Sequence, residues 1–278
     1  MIPSWILTFR RPAALNRQIQ ALKSWTDVHV FTNHPEVELT EDNKPLYQSG
    51  QIKILFNTLS DPDATAYCAR SWNSIFLKVF KDHDEAIFIQ DDTLITNPEM
   101  FRDLILSNKD RFDYILGPAG DQFFYMKKCV LEKVGFFDER YLGCYCGDAD
   151  YEKRIYHAWD KSRISIVDSH DWGIVHNDIG ISRIIPTDIR SKCIDSTYIN
   201  QHHDLENRLG ASTNLALIQS QSHFKSKWGT PGNGINGIGS IFHHINPPRF
   251  PEIPWYPWFD QKYLNDGPRN NGVYTKVE

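Results

Sequence analysis

The chain has 278 residues, 41% of them hydrophobic and 23% charged, which suits one large domain, or one domain with a substantial extension, and allows a sizeable core. Its formal net charge of −5 argues against nucleic acid as the main partner, because phosphate binding needs a basic footprint. The opening Met1-Ile2-Pro3-Ser4-Trp5 lacks the basic segment and apolar run of a secretion signal. No stretch approaches the ~18 apolar residues of a membrane span, so a soluble, cytoplasmic protein is expected.

Trp5-Ile6-Leu7 predicts a short strand ending in the polar turn Thr8-Phe9-Arg10-Arg11-Pro12. Pro12 is placed to open a helix whose Leu15, Ile19 and Leu22 share one face. Val28 to Phe31 predicts a second strand, ended by Thr32-Asn33-His34-Pro35, and Ile52 to Phe56 a third. Trp72, Ile75, Phe76, Val79 and Phe80 trace the stripe of a core-facing helix. Ala86-Ile87-Phe88-Ile89 is the continuous apolar run of a central strand buried on both faces, and it stops at Gln90-Asp91-Asp92.

Pro98 begins a further helix with Met100, Phe101, Leu104 and Ile105 as its apolar side. Tyr114 to Leu116 and Phe123 to Met126 predict strands. Val130 to Val134 predicts a brief helix closed by Gly135 at an αL cap. Tyr151 to Trp159 reads as helical and Ile164 to Val167 as extended. Strands alternating with helices predict a mainly parallel sheet flanked by helices, with ligands beyond the carboxyl ends of the strands.

Residues 200 to 245 are polar, with Gly232, Gly234, Gly237 and Gly239 in a loop-like run, and Pro247 to Phe259 form an aromatic, proline-rich tail. The expected division is a domain over 1–230 and an extension over 231–278 that packs on it. The tail aromatics Trp255, Tyr256, Trp258 and Phe259 suit packing, sugar stacking or a homodimer contact. Gly232-Asn233-Gly234-Ile235-Asn236-Gly237 matches GxGxxG in letters only, since no strand precedes it and no βαβ unit surrounds it. The five cysteines, Cys68, Cys129, Cys144, Cys146 and Cys193, are odd in number and scattered. That pattern predicts buried free thiols rather than a disulfide framework or a structural zinc site.

Two acidic signals carry the chemistry. Asp91 and Asp92 at a buried strand's end are costly unless something positive compensates them. A hard divalent cation bridging to phosphate would do so, and a solvated strand end is the plainer alternative. Asp148, in Gly147-Asp148-Ala149-Asp150-Tyr151-Glu152-Lys153-Arg154, lies where a helix begins. It suits either an N-cap or a general base that takes a proton from an attacking hydroxyl. Arg70 and Arg154 suit phosphate or, more commonly, a structural salt bridge. Lys225 and Lys227 beside Trp228 suit a solvated face or a contact to a diphosphate.

In their order along the chain, several segments from residue 4 to about 185 resemble the GT-A glycosyltransferases, family 2 in particular. Thr8-Phe9-Arg10-Arg11-Pro12 resembles that family's first nucleotide-binding turn, and Thr32-Asn33 the base-contacting end of its second strand. Ala69-Arg70-Ser71-Trp72-Asn73 is similar to its Ala-Arg-Asn segment, and Gln90-Asp91-Asp92 stands at its DxD position. Gly135-Phe136-Phe137-Asp138-Glu139-Arg140 and the segment from Gly147 to Arg154 resemble its Gly-Gly-Phe-Asp-Glu and Glu-Asp-x-Asp motifs. His176 with Gly180 and Ser182 resembles its His-x-x-Gly-x-Ser segment with one extra residue, and Lys227-Trp228-Gly229 its Lys-Trp-Gly signature.

The resemblance implies a GT-A α/β fold with a mixed, mainly parallel sheet and a C-terminal extension. It implies transfer of a sugar from a nucleotide-sugar donor, a UDP-sugar by family frequency, to a hydroxyl of a glycan or glycoconjugate acceptor. It assigns Thr8, Arg10, Asn33, Arg70, Gln90 and Asp91 to the donor, Asp92 and His176 to Mn²⁺ or Mg²⁺, and Asp148 to the role of base in an inverting displacement. Two departures stand out: Gln90 replaces the first acid of DxD, and Gly147 replaces the acid before Asp148. They leave open a non-catalytic sugar-binding or scaffolding protein on the same fold. A retaining transferase, in which Asp148 is no base, is the alternative among enzymes.

Overall fold

A computed structural model describes residues 1–8, 12–32, 37, 39–56, 68–91, 93–117, 120–141, 147–166, 174–176, 218 and 220–225. The elements run β1 (Ile2–Thr8), α1 (Pro12–Leu22), β2 (Thr26–Thr32), α2 (Lys44–Gln48), β3 (Ile52–Phe56), α3 (Cys68–Asp82), β4 (Glu85–Gln90) and β5 (Thr93–Ile95). They continue with α4 (Pro98–Asn108), β6 (Tyr114–Gly117), β7 (Gly120–Lys127), α5 (Lys128–Val134), α6 (Gly147–Ala158), a 3-10 turn at Lys161–Arg163, β8 (Ile164–Ile166) and β9 (Ile174–His176).

Seven strands form one sheet in the order β3-β2-β1-β4-β7-β6-β8. Pairings β1–β2, β1–β4, β2–β3 and β6–β8 are parallel, and β7 alone runs against its neighbours β4 and β6. A separate antiparallel pair joins β5 to β9. This is the mixed, mainly parallel sheet flanked by helices that the GT-A resemblance implies.

The helices cover both faces because the central strands are apolar on both. In β4, Ala86 and Phe88 enter one core, with α3, α5 and α6, while Ile87 and Ile89 enter the other, with α1 and α4. β7 divides in the same way, Phe124 and Met126 to the first core and Phe123 and Tyr125 to the second. Alternation with both faces buried is what turns a period-2 strand into a continuous apolar run. The first core is aromatic. Phe88 stacks on Phe124 at 4.7 Å, Trp72 meets Phe124 edge-on at 5.3 Å, and Phe137 stacks on Tyr151 at 4.1 Å. Such pairs add about 0.5–1.5 kcal/mol each beyond area burial.

Several expectations are corrected. β1 starts at Ile2, not Trp5, and pairs with β2 from Ile2↔Thr26. Pro3 is tolerated there because β4 joins only from Ser4↔Ile87, leaving that side of residue 3 without a ladder. Met100 is 40% exposed, so the apolar side of α4 is Phe101 and Ile105 with Leu104 half-buried. Gly135 has φ +82° but ψ −166°, a conformation open essentially to glycine and distinct from αL. The chain therefore leaves α5 extended. Neither described thiol is buried: Cys129 is exposed on α5 and Cys68 is half-buried. Residues 220–225, in a polar stretch for which no element is predicted, are helical. The short elements α2, β5 and β9 span too few residues to show a period. Residues 231–278, the expected extension, lie outside the described residues.

Candidate functional site

The strand order turns between β1 and β4: the chain runs from β1 outward through β2 and β3, and from β4 onward to β7, β6 and β8 on the other half of the sheet. A parallel α/β sheet opens a crevice at the carboxyl ends of such strands. Thr8 ends β1 there and Gln90 ends β4. Thr8 Oγ1 donates to Asp91 Oδ2 at 2.7 Å, and the Asp91 amide donates to Leu7 O at 2.9 Å. Asp91 is only 4% exposed. Two of its groups therefore bind it to β1, and its carboxylate is held at the turn rather than waving in solvent.

Gln90 is half-buried and points its amide toward the first turn of α3, where Nε2 donates to Cys68 Sγ at 3.5 Å. The same turn meets the other acidic segment: a Cβ at position 147 would lie 4.0 Å from Ala69 Cβ. The Gln90-Asp91 turn and the Gly147-Asp148 turn thus both rest on the start of α3. Asp148 stands in the first turn of α6, not at its cap, since Gly147 is already helical. Burial pushes the Asp148 carboxyl above the usual carboxylate range. The backbone amides of Ala149 and Asp148 pull it down, and the charge of Asp150 pushes it up again.

A buried strap positions α6. Asn73 on α3 receives the Phe137 amide at 2.8 Å and donates to Phe137 O at 3.0 Å and Glu139 Oε1 at 2.9 Å. Phe137 stacks on Tyr151 of α6. Asp138, fully buried, accepts from Arg140 Nε at 3.0 Å and Nη2 at 2.9 Å, and lies 3.0 Å from His223 Nε2. The helical residues 220–225 are thereby docked beside α6, with Phe224 2% exposed and Lys153 over its ring. Arg154 pairs with Asp150 at 2.9 Å and donates to Val134 O and Phe136 O, so its role is the structural one. Lys225 is exposed.

Of the other residues assigned by resemblance, Arg10, Asn33 and Asp92 lie outside the described residues. Arg70 and His176 are described in backbone only. The β5–β9 ladder sets His176 opposite Thr93, so its backbone lies beside the turn that carries Asp91 and Asp92. Among the described residues no group of three or more His, Cys, Asp or Glu side chains could by itself hold a metal. No described helix is long and apolar enough to cross a membrane.

Sequence reasoning named Asn73 only as part of the Ala-Arg-Asn-like segment, without a role, and passed over His223 and Gln18. Gln18 did carry a signal: it lies on the stripe of Leu15, Ile19 and Leu22, a polar residue on a buried helical face. Its amide reaches Gln90 O at 2.6 Å and also Thr93 O.

The fold and these residues define an α/β protein whose conspicuous chemistry is a set of carboxylates at the sheet's carboxyl edge. No family model matches the chain, and no curated protein does. Among solved structures it is similar to TarS of S. aureus, with 13% identity, a TM-score of 0.47, and coverage of 60% of this chain and 35% of that one. It is also similar to glucosyl-3-phosphoglycerate synthase of Mycobacterium tuberculosis, solved with Mn²⁺, UDP-glucose and phosphoglyceric acid. There the identity is 11% and the TM-score 0.46, with coverage of 70% of this chain and 81% of that one. The chain spans about a third of the length of TarS.

Proposed function

We propose that the chain is a metal-dependent glycosyltransferase that moves a sugar from a nucleotide-sugar donor to an acceptor glycan hydroxyl with inversion. The observation that carries this reading is the meeting of two acidic turns on the first turn of α3. One is the Asp91 turn, held by Thr8; the other carries Asp148, whose carboxyl is pushed upward by burial. A base with an upward-shifted carboxyl accepts a proton nearer neutral pH than an ordinary aspartate.

In this reading Thr8, Arg10, Asn33, Arg70, Gln90 and Asp91 contact the donor. Asp92 and His176 hold Mn²⁺ or Mg²⁺, and Asp91 supports them. A bound divalent ion supplies neutralisation of the diphosphate charge. Asp148 takes the acceptor hydroxyl's proton while the acceptor oxygen bonds the anomeric carbon and the bond from that carbon to the diphosphate oxygen breaks. A UDP-sugar is the donor to test first.

Thermal shift of the full chain with UDP- and GDP-sugars, with and without Mn²⁺, tests binding, since a ligand of the native state raises its stability. Nucleoside diphosphate release, and the anomeric configuration of the product by NMR, test the chemistry. Absence of any Mn²⁺-dependent shift and any release sinks the reading, and a retained configuration removes the base role from Asp148. A sugar-binding protein without turnover is the second reading, favoured by Gln90 and Gly147, where the resembling motifs carry acids. Binding without release supports it.

A further inference from the structure

We propose that Gln18 is a positioning residue for the Asp91-Asp92 turn, one side-chain amide holding both ends of the segment that carries the two carboxylates. Gln18 lies on α1 and is 1% exposed. Its Nε2 donates to Gln90 O at 2.6 Å and to Thr93 O, the carbonyls that bracket residues 91 and 92. An amide NH₂ has two hydrogens, so both are used.

The backbone explains why such a clamp is placed here. The ladder from β4 to β7 ends at Ile89↔Phe123, and that from β1 to β4 ends at Leu7↔Gln90. The next ladder starts at Thr93↔His176 and belongs to the other sheet. Asp91 therefore lies past the last ladder pair of one sheet and before the first of the other. Thr8 and Leu7 hold Asp91 from the β1 side, and Gln18 holds the flanking carbonyls from the α1 side.

The amide's own oxygen shows which end matters. Among the described residues, Gln18 Oε1 is buried with no hydrogen-bond partner. Turning the amide over would set that oxygen against two carbonyl oxygens, so the orientation is fixed by the turn. An apolar residue here would avoid a buried orphan acceptor, and the chain carries glutamine instead. A polar group that leaves one atom unsatisfied while fixing a functional turn is the kind of local conflict expected at a working site.

The role in metal and donor binding rests on the glycosyltransferase reading; the role in fixing the turn does not, and the test separates them. In the ligand-free full chain, Gln18→Met keeps the length and removes both donors. Hydrogen exchange at the amides of residues 91–93 is expected to quicken at least tenfold, with β1 and β2 amides unchanged. Gln18→Glu, of the same shape, is expected to loosen the same amides at neutral pH, where a carboxylate faces the two carbonyls. Unchanged exchange at 91–93, or equal acceleration throughout, overturns the proposal. For function, the Mn²⁺ concentration that half-saturates UDP-sugar binding is expected to rise about tenfold in Gln18→Met. The control Asp113→Asn, at the opposite end of the sheet, should leave it unchanged. A wild-type chain with no Mn²⁺-dependent donor binding overturns the glycosyltransferase reading and leaves the exchange result to decide on Gln18.

Discussion

Replacing Asn73 with alanine is the sharpest test of how Asp148 is held in place. Asn73 is fully buried and makes three hydrogen bonds to the strap, two of them to the backbone of Phe137, which is itself 2% exposed. Truncation strands the Phe137 amide and carbonyl in an aromatic surround where water is excluded, and Glu139 loses a partner. Leaving a buried backbone group unsatisfied costs about 1–3 kcal/mol. Two such groups give roughly 2–6 kcal/mol, with about 3 as the central expectation. For a domain of this size that lowers Tm by roughly 6–12 °C. Urea unfolding should show the lower midpoint with an unchanged slope, since the surface exposed on unfolding is the same. Nucleoside diphosphate release should fall further than stability alone explains, because the Phe137–Tyr151 stack that locates α6 depends on the strap. A variant within 1 kcal/mol of wild type would refute the idea that Asn73 anchors the strap.

Asp148→Asn should lower transfer by about 10²–10⁴-fold while donor binding in isothermal titration stays near wild type. Because burial raises the Asp148 carboxyl in the fold, its stabilising contribution is complete at acid pH and is lost as pH rises through the folded value. The neutral asparagine is therefore expected to raise Tm at pH 7, and a lowered Tm argues against a desolvated carboxylate. Asp113 behaves oppositely: Arg163, then Lys127, hold its carboxyl down at about 2 against an ordinary 3.8. That stability is present above pH ~4 and lost as pH falls toward 2. It corresponds to about 2 kcal/mol unscreened and about 1 after solvent screening at the 39% exposed Arg163. Urea midpoints from pH 5 to 2 should fall more steeply for wild type than for Asp113→Asn, and parallel curves would contradict this. Gly117→Ala should cost about 1–3 kcal/mol in urea titration, because an added Cβ meets Phe123 Cδ1 at 2.9 Å and Phe123 O at 3.1 Å. Gly147→Ala meets only ordinary contacts at 3.6 Å and 4.0 Å and should be neutral or stabilising by up to about 1 kcal/mol.

What the sequence made legible follows from where burial leaves a periodic trace. β4 and α3 were readable because Ala86 to Ile89 are buried on both faces and Trp72, Ile75, Phe76, Val79 and Phe80 all face one core. β5 and β9, three residues each, leave no period, yet they set His176 opposite Thr93 and so shape the edge where chemistry is expected. The acidic residues themselves were legible by type, since adjacent carboxylates after a buried strand are costly unless compensated and an acid at a helix start suits a cap or a base. Their support was not. Thr8 meets Asp91 across 83 residues, Asn73 meets Phe137 across 64 and His223 meets Asp138 across 85, and no local spacing announces such partners.

Gln18 falls between these cases. Its place on the stripe of Leu15, Ile19 and Leu22 marks it as a buried amide, and burial obliges such an amide to find partners. Only the fold shows that those partners are the carbonyls on either side of Asp91 and Asp92. A polar residue inside an apolar helical stripe is thus a pointer to a backbone segment that lacks ladder partners. In a parallel α/β sheet the segments just past the strands' carboxyl ends are both the ones without ladders and the ones that meet ligands. The same shortage of backbone partners that makes such a turn usable for chemistry also calls for a buried donor such as Gln18 to hold it.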